Sequence, residues 1–309
     1  LKISNDMNKS LVHRGPDSEG VWIETNSSCF LAHRRLSIID LTKNGSQPMI
    51  SKSKRFVICY NGEIYNSRNL QKLLKTKLRG HSDTEIILEL FEKLGLENVL
   101  DKLIGMFAFA LYDRKLKKLF LCRDRVGKKP LFWSKINDNF IFSSELKSLM
   151  CFPGFKKNLN RDAISNFLRH GYIPSPNSIF QNTFKLQPGK ILTIDQKKFF
   201  PQIKSFWSLE NIVKNRSLIN IGNSEIIKNL DNLLTDSVSR RMIADVPVGS
   251  FLSGGIDSSV VTAIMQKVSK RKVNTFSIGF REDSYDEANF AKKIAEKLGT
   301  NHTEVYLDS

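Results

Sequence analysis

In this 309-residue chain the stretch best suited to chemistry is Ser253-Gly254-Gly255-Ile256-Asp257-Ser258-Ser259. It follows a mostly apolar run at 246–252 and leads into Val260-Val261-Thr262-Ala263-Ile264-Met265, so the order is strand, glycine turn, helix start. Such a turn directs bare backbone N–H groups and several hydroxyls at one spot, and the helix N-terminus adds partial positive charge, which suits phosphate. The pattern is not a Walker A loop, which needs Gly-Lys-Ser/Thr and a lysine reaching the outer phosphates. Asp257 holds the middle instead, better placed to meet Mg²⁺. Pyrophosphate held through Mg²⁺ is the expected ligand. A loose Ser-Gly-Gly would read as an ordinary turn; seven such residues between a strand and a helix do not.

Other reactive residue types are less telling. His33 has no ligand-type residue three or four positions on, and His13 has only Asp17 across a Gly-Pro turn, so both are expected in structural roles beside arginine. Cys29, Cys59, Cys122 and Cys151 lie far apart without CxxC spacing, which points neither to zinc nor to a secreted disulfide framework and fits a reducing cytoplasm. Asn61-Gly62, between the apolar run 56–60 and Ile64, suits a type I′ hairpin turn.

The elements that must position these residues fall into two blocks. Residues 21–200 read as short strands rich in β-branched and aromatic residues, at 21–23, 29–32, 55–60, 106–112, 118–122 and 140–143. Helical spacing interrupts them at 69–75 and 83–94, where Gly95 is placed to end the second helix. Strands in one region with helices outside predict a layered α+β sandwich. A helix at 161–168 and a strand at 191–194 close this block. The expected division is a first domain over 1–200, a linker over 201–223 and a second domain over 224–309 that opens on a helix capped by Ser224. Beyond that helix the period becomes strand, turn and helix (246–252, 257–267, 273–280, 286–298, 303–307), a βαβαβ pattern that predicts an α/β domain with a parallel sheet, its ligand beyond the strands' carboxyl ends.

Composition bounds the partners. An apolar fraction of 40% supports packed cores, and no apolar run approaches the ~20 residues of a membrane-spanning helix. The net charge of +17 raises nucleic acid as a partner, but the basic clusters at 52–55, 72–79 and 114–118 are scattered and carry no interleaved aromatics, which argues against it. The first residue is Leu1 rather than methionine, and the chain reads as cut.

Ser-Gly-Gly-Ile-Asp-Ser-Ser resembles the pyrophosphate loop of ATP pyrophosphatases that adenylate a substrate. Together with His13-Arg14-Gly15-Pro16-Asp17, Arg35-Leu36-Ser37-Ile38-Ile39-Asp40, Gln47-Pro48-Met49, Asn61-Gly62-Glu63-Ile64-Tyr65-Asn66 and Gly105-Met106-Phe107-Ala108-Phe109-Ala110, it resembles the glutamine-hydrolysing asparagine synthetases over nearly the whole chain. The resemblance implies an N-terminal αββα sandwich of the Ntn type, lacking its nucleophile segment, then an incomplete doubly wound parallel sheet. It implies that Arg35 meets the glutamine carboxylate, Asp83 its α-amino group and Glu63 the rest of the amino acid, with Asn61 and Gly62 as the oxyanion hole. ATP would contact Leu252, Ser253, Gly254, Gly255, Asp257, Ser258, Ser259 and Ile278, with Asp257 on Mg²⁺. The nucleophilic cysteine of the family precedes the first motif; none lies before Cys29, which reads as core rather than as a replacement. Residues 123–131 resemble a family segment near the domain contact and ammonia path.

The implied reaction uses glutamine, aspartate and ATP in the cytoplasm, and the resemblance allows a homodimer. Two alternatives stand beside it: an enzyme amidating another carboxylate, such as a surface sugar acid or a lactam precursor, and a catalytically silent basic binding module.

Overall fold

The computed structural model describes residues 2–25, 29–196, 200–215, 221–280 and 287–307. It divides into two compact units, Leu1–Arg216 and Ser217–Ser309. No helix among the described residues is long and apolar enough to cross a membrane.

The first unit runs α1 (Lys2–Lys9), β1 (Ser18–Ile23), β2 (Phe30–Arg35), β3 (Met49–Ile50), β4 (Phe56–Ile64), α2 (Ser67–Gln71), α3 (Asp83–Leu94), α4 (Leu96–Lys102), β5 (Gly105–Asp113), β6 (Lys118–Arg123), β7 (Phe132–Ile136), β8 (Asn139–Ser143), α5 (Leu146–Leu149), α6 (Arg161–His170), β9 (Thr183–Lys185), β10 (Lys190–Asp195), β11 (Gln202–Ser205) and α7 (Leu209–Lys214). An antiparallel sheet of order β11-β10-β6-β5-β4-β3 forms its centre, with the β1–β2 pair and a β8-β7-β9 sheet beside it.

Side-chain alternation explains the layers. One face of β4 and β5 sends Phe56, Ile58, Tyr60, Phe107, Phe109 and Leu111 against Ile87, Leu90 and Phe91 of α3 and Leu100 of α4. The opposite face sends Val57, Cys59, Ala108, Ala110 and Tyr112 against Leu31, Trp22, Trp133 and Phe142 of the smaller sheets. On their far side, α1 packs on β2 and α5 packs on β7 and β8. This is an αββα sandwich. Residues 56–60 are buried on both faces because each face of the central sheet is covered.

Ser82 caps α3, its hydroxyl accepting from Glu85 N, while the Glu85 carboxylate accepts from Arg79 N and Gly80 N; Gly95 at φ +79° ends the helix. Three local expectations are corrected here. Asn61-Gly62 does not turn; β4 continues through it to Ile64 because β5 pairs with it residue for residue, Gly62 opposite Phe107. The helix expected over 69–75 is the shorter Ser67–Gln71. The stretch expected as linker carries β11, which completes the sheet edge on β10, and α7.

The second unit runs α8 (Asn223–Arg241), β12 (Gly249–Phe251), α9 (Ile256–Val268), β13 (Asn274–Phe280), α10 (Ala288–Leu298) and β14 (Asn301–Leu307). Its strands are all parallel, in the order β12-β13-β14. Ser224 lies inside the first turn of α8, with Gly222 at the cap, and the first strand is shorter than the expected 246–252. Thr275, Ser277 and Gly279 of β13 are covered, whereas Phe276, Ile278 and Phe280 lie on an exposed face. The α10 start expected at Asp286 lies outside the described residues.

Candidate active site

A cleft of about 960 Å³ opens on the face of the central sheet that carries Cys59, Ala108 and Ala110, and Arg35, Asn61, Gly62, Glu63 and Asp83 all line it. Residues as far apart in sequence as Arg35 and Asp83 meet there because β2, β4 and the N-terminus of α3 converge.

Arg35 ends β2. Its guanidinium donates to the carbonyls of Thr42 (3.1 Å), Ile39 (3.2 Å) and Asp40, so the following turn wraps it. No carboxylate pairs with it among the described residues. A cation held by neutral carbonyls at a cleft wall is prepared for an incoming anion, and its planar fork matches a carboxylate. The turn is set by Asp40, at φ +59° and fully buried, whose carboxylate accepts from the Thr42 hydroxyl (2.6 Å) and from His81 N (2.9 Å). Burial pushes the Asp40 carboxyl up, but these bonds outweigh it and hold the group below its ordinary range.

Asp83 is the first residue of α3, where the helix dipole favours a carboxylate. One oxygen accepts from Tyr60 Oη and Ile64 N, both at 2.9 Å, and the other from Thr84 N at 2.8 Å. Burial nevertheless raises its pKa, so an arriving ammonium group would relieve a standing electrostatic cost.

Between these ends lies β4. Its even-numbered residues turn their backbone groups away from β5: Tyr60 N donates to Gln47 Oε1 (2.6 Å) and Ile64 N to Asp83. Phe107, opposite Gly62, spends its own N–H and carbonyl on Asp124. Gly62 N–H therefore points to the same outer edge, and no acceptor among the described residues meets it. Beside it Asn61 Nδ2 is buried without a hydrogen-bond partner. Two adjacent donors with nothing to bond are the arrangement a developing oxyanion requires.

His33 donates from Nε2 to Tyr60 O (3.0 Å), and burial keeps its imidazole neutral down to about pH 4. His13 bonds Glu145 (3.0 Å), which also takes Arg14 (3.0 Å). No cluster of three potential metal ligands occurs among the described residues. Cys29 sits just ahead of β2 rather than within it, and burial pushes its thiol up to about 12, the opposite of an activated nucleophile. Arg123, Asp124 and Arg125 are spent on backbone groups: Arg123 holds the carbonyls of Gly127, Lys129 and Leu186, Arg125 those of Leu100, Asp101 and Leu103, and Asp124 accepts from the N–H groups of Val126, Lys128 and Lys129. The clamped turn delivers Lys129 and Leu131 to the cleft. Tyr60, Thr84, Gln47 and Lys129 also line the cleft; sequence reading did not single out their side chains, since their signal is spatial.

In the second unit, Leu252 N donates to Phe276 O (2.8 Å), carrying the chain past β12 into the Ser253–Gly255 turn. Gly254 has φ +82°, and a Cβ there would lie 2.8 Å from Phe290 Cβ, so only glycine fits. Ser258 Oγ bonds Ser253 Oγ (3.0 Å) and Ser259 Oγ donates to Gly255 O (2.7 Å), folding the hydroxyls onto the N-terminus of α9, with Asp257 exposed in its first turn. This cradle fits a pyrophosphate, and one carboxylate beside it fits Mg²⁺, which takes few protein ligands and the phosphates for the rest. Leu252 and Ile278 lie at the carboxyl ends of adjacent strands but do not share a face: Leu252 packs on Ala291 and Ala295, while Ile278 is exposed. Only their backbones can serve one ligand.

The glutamine amidotransferase domain model matches residues 2–207, two-thirds of the chain, and the asparagine synthase model matches 229–309. The chain belongs to the glutamine amidotransferase family. It is 40% identical, over 98% of its length, to "Putative asparagine synthetase (glutamine-hydrolyzing) 2" of Methanocaldococcus jannaschii, covering 61% of that protein. It is 35% identical, over 96% of its length, to asparagine synthetase (glutamine-hydrolyzing) 3 of Bacillus subtilis, covering 50% of it. The chain thus spans about half the length of these relatives. Among solved structures, an allosteric regulatory enzyme of purine biosynthesis aligns over 99% of the chain and 77% of its own at TM-score 0.51 and 14% identity, a likeness of fold alone.

Proposed function

We propose that this chain supplies the glutamine pocket and the nucleotide loop of a glutamine-dependent asparagine synthetase. The observation that carries the first part is the buried, unpartnered Asn61 Nδ2, next to a Gly62 N–H that the strand register turns to the open edge of β4, in one cleft with Arg35 and Asp83. Arg35 binds the glutamine α-carboxylate, Asp83 its ammonium group, and Glu63 orients it. The side-chain amide then lies along β4, where Asn61 and Gly62 stabilise the oxygen as a tetrahedral intermediate forms. With its thiol raised to about 12, Cys29 is not the attacking group.

Support for the second part is the 253–259 cradle together with the match of 229–309 to the asparagine synthase model. With ATP and Mg²⁺ held there, a carboxylate would attack the α-phosphorus and release pyrophosphate, and ammonia from glutamine would then displace AMP from the acyl adenylate to leave the amide. In this chain the cradle residues hold the pyrophosphate, Asp257 faces the metal, and the backbones at Leu252 and Ile278 face the nucleoside. Aspartate is the proposed acceptor.

Calorimetric titration with L-glutamine tests the pocket. Wild type binds, and Asp83→Asn and Arg35→Lys each weaken binding at least tenfold, a charge-assisted bond contributing ~1.5–3 kcal/mol. Unchanged affinity in both variants removes the pocket assignment.

A further inference from the structure

β3 pairs with β4 through Met49 opposite Ile58 and Ile50 opposite Val57, and continuing that register two residues back puts Gln47 opposite Tyr60. The backbone pairing stops short of that position. The Gln47 side chain takes the place of the strand instead: its Oε1 accepts from Tyr60 N (2.6 Å) and its Nε2 donates to Tyr60 O (3.2 Å). Both backbone groups of Tyr60 are thereby satisfied as a neighbouring strand would satisfy them. The reversed amide orientation would set like against like at both contacts, so the network fixes it. The second Nε2 hydrogen reaches Thr84 Oγ1 (3.4 Å), and His33 fills the other lone pair of Tyr60 O. Gln47 is buried, with 9% of its surface exposed.

The consequence falls two residues further along β4. An amide side chain as spacer keeps the 45–47 backbone away from the edge of β4, so the next outward N–H, that of Gly62, finds no strand partner, while Tyr60 stays pinned on one side of Asn61.

We propose that Gln47 is a positioning residue for the oxyanion donors: its amide props the sheet edge open by one side-chain length, leaving Gly62 N–H free and Asn61 aimed. The inference rests on the glutamine-pocket reading above. Gln47 touches the strand and α3, not the reacting amide.

The test is Gln47→Glu in the full-length protein, compared with wild type and Gln47→Met in glutamine hydrolysis from pH 5 to 8. A protonated carboxyl reproduces the donor and the acceptor that the amide turns to Tyr60, losing only the longer bond to Thr84; an ionised one sets a negative oxygen against Tyr60 O. Of the titratable or charged groups here, Tyr60 bonds Gln47 directly, His33 of β2 and Asp83 of α3 bond Tyr60, and Arg35 of β2 and Glu63 of β4 line the same cleft. Burial and Asp83 raise the new carboxyl, and Arg35 opposes them. The expected result is a kcat loss of roughly tenfold or more at pH 8 with KM within about twofold, since the oxyanion contact forms only in the transition state. The ratio of the Glu variant to wild type climbs as pH falls, while the Met variant stays low throughout. A pH-independent ratio, a wild-type kcat in the Met variant, or a loss confined to KM overturns the proposal. Should the variants unfold, amide exchange in wild type decides: Tyr60 N–H must exchange far more slowly than Gly62 N–H, and equal protection refutes the prop. A folded wild type without glutaminase activity overturns the pocket reading itself, and the proposal with it.

Discussion

Replacing Asn61 by alanine should move stability and catalysis in opposite directions. In the folded protein Asn61 Nδ2 is buried without a partner, and an unsatisfied buried donor costs about 1–3 kcal/mol. Alanine removes that donor. Little new void follows, because the side chain borders a cleft rather than a closed core. Part of the gain is offset by lost contacts, leaving a net stabilisation of about 1 kcal/mol. For a unit of this size, that raises the midpoint of thermal unfolding by about 2–4 °C. The same donor is assigned to the developing oxyanion, where loss of one such bond lowers kcat by about 10²–10³, equivalent to about 2.7–4 kcal/mol. Calorimetric unfolding without ligand gives the first quantity and steady-state glutamine hydrolysis by the full-length protein the second, with KM nearly unchanged. A variant that melts several degrees lower, or that keeps its kcat, would show that Asn61 is a structural residue of β4 and refute the reasoning.

Gly254→Ala should destabilise the second unit and abolish nucleotide binding, because φ +82° and the approach of Phe290 leave no room for a methyl; circular dichroism and pyrophosphate titration check it. Asp257→Ala should weaken Mg²⁺-dependent binding of pyrophosphate and ATP while glutamine affinity stays constant; equal calorimetric affinities in wild type and variant would remove Asp257 from the metal site. Acid should release the Arg35 turn. Burial raises Glu85, but the Arg79 and Gly80 N–H groups and the Arg79 side chain outweigh it, so Glu85, like Asp40, titrates below its ordinary value, 4.5 for Glu85 and 3.8 for Asp40. A depressed acid binds fewer protons folded than unfolded, so the stability it contributes is present above those values and lost as pH falls through the folded pKa. Glutamine affinity and the unfolding midpoint should therefore fall together below about pH 4, and an affinity flat to pH 3 would contradict this.

Much of this was legible in sequence because local chemistry determined it. The period of α3, its stop at Gly95, and the strand-turn-helix around 253–259 are all set by neighbours within a few positions. Asn61-Gly62 shows where local reading fails: the dipeptide favours a turn, yet pairing with β5 carries it straight through, a partner more than forty residues away overriding propensity. The same holds for β11, whose polar sequence forms a strand because β10 offers an unpaired edge. Leu252 and Ile278 could be placed at strand ends, but not on opposite faces, since the face depends on registers that only the assembled sheet fixes.

What separates the candidate site from its surroundings is how polar groups are spent. Arg123, Arg125 and Asp124 are as charged as any residue of the cleft, yet they bond backbone groups that tie the 123–131 turn to its neighbours. Arg55 with Asp113 (2.7 Å) and Arg114 with Glu24 (2.7 Å) are likewise closed pairs. Arg35 is bound only by carbonyls, Asp83 stays buried with no cation paired to it among the described residues, and Asn61 has no acceptor. An orphaned atom alone is not diagnostic, because Arg34 Nε, Trp133 Nε1 and Thr235 Oγ1 share that condition. The distinguishing feature is complementarity: a guanidinium held by carbonyls, a buried carboxylate with no cation paired to it among the described residues, and an unpaired amide donor line a single cleft, which suits the α-carboxylate, ammonium group and amide oxygen of the proposed ligand. A stable fold has no use for that combination unless a ligand completes it, and glutamine presents all three groups.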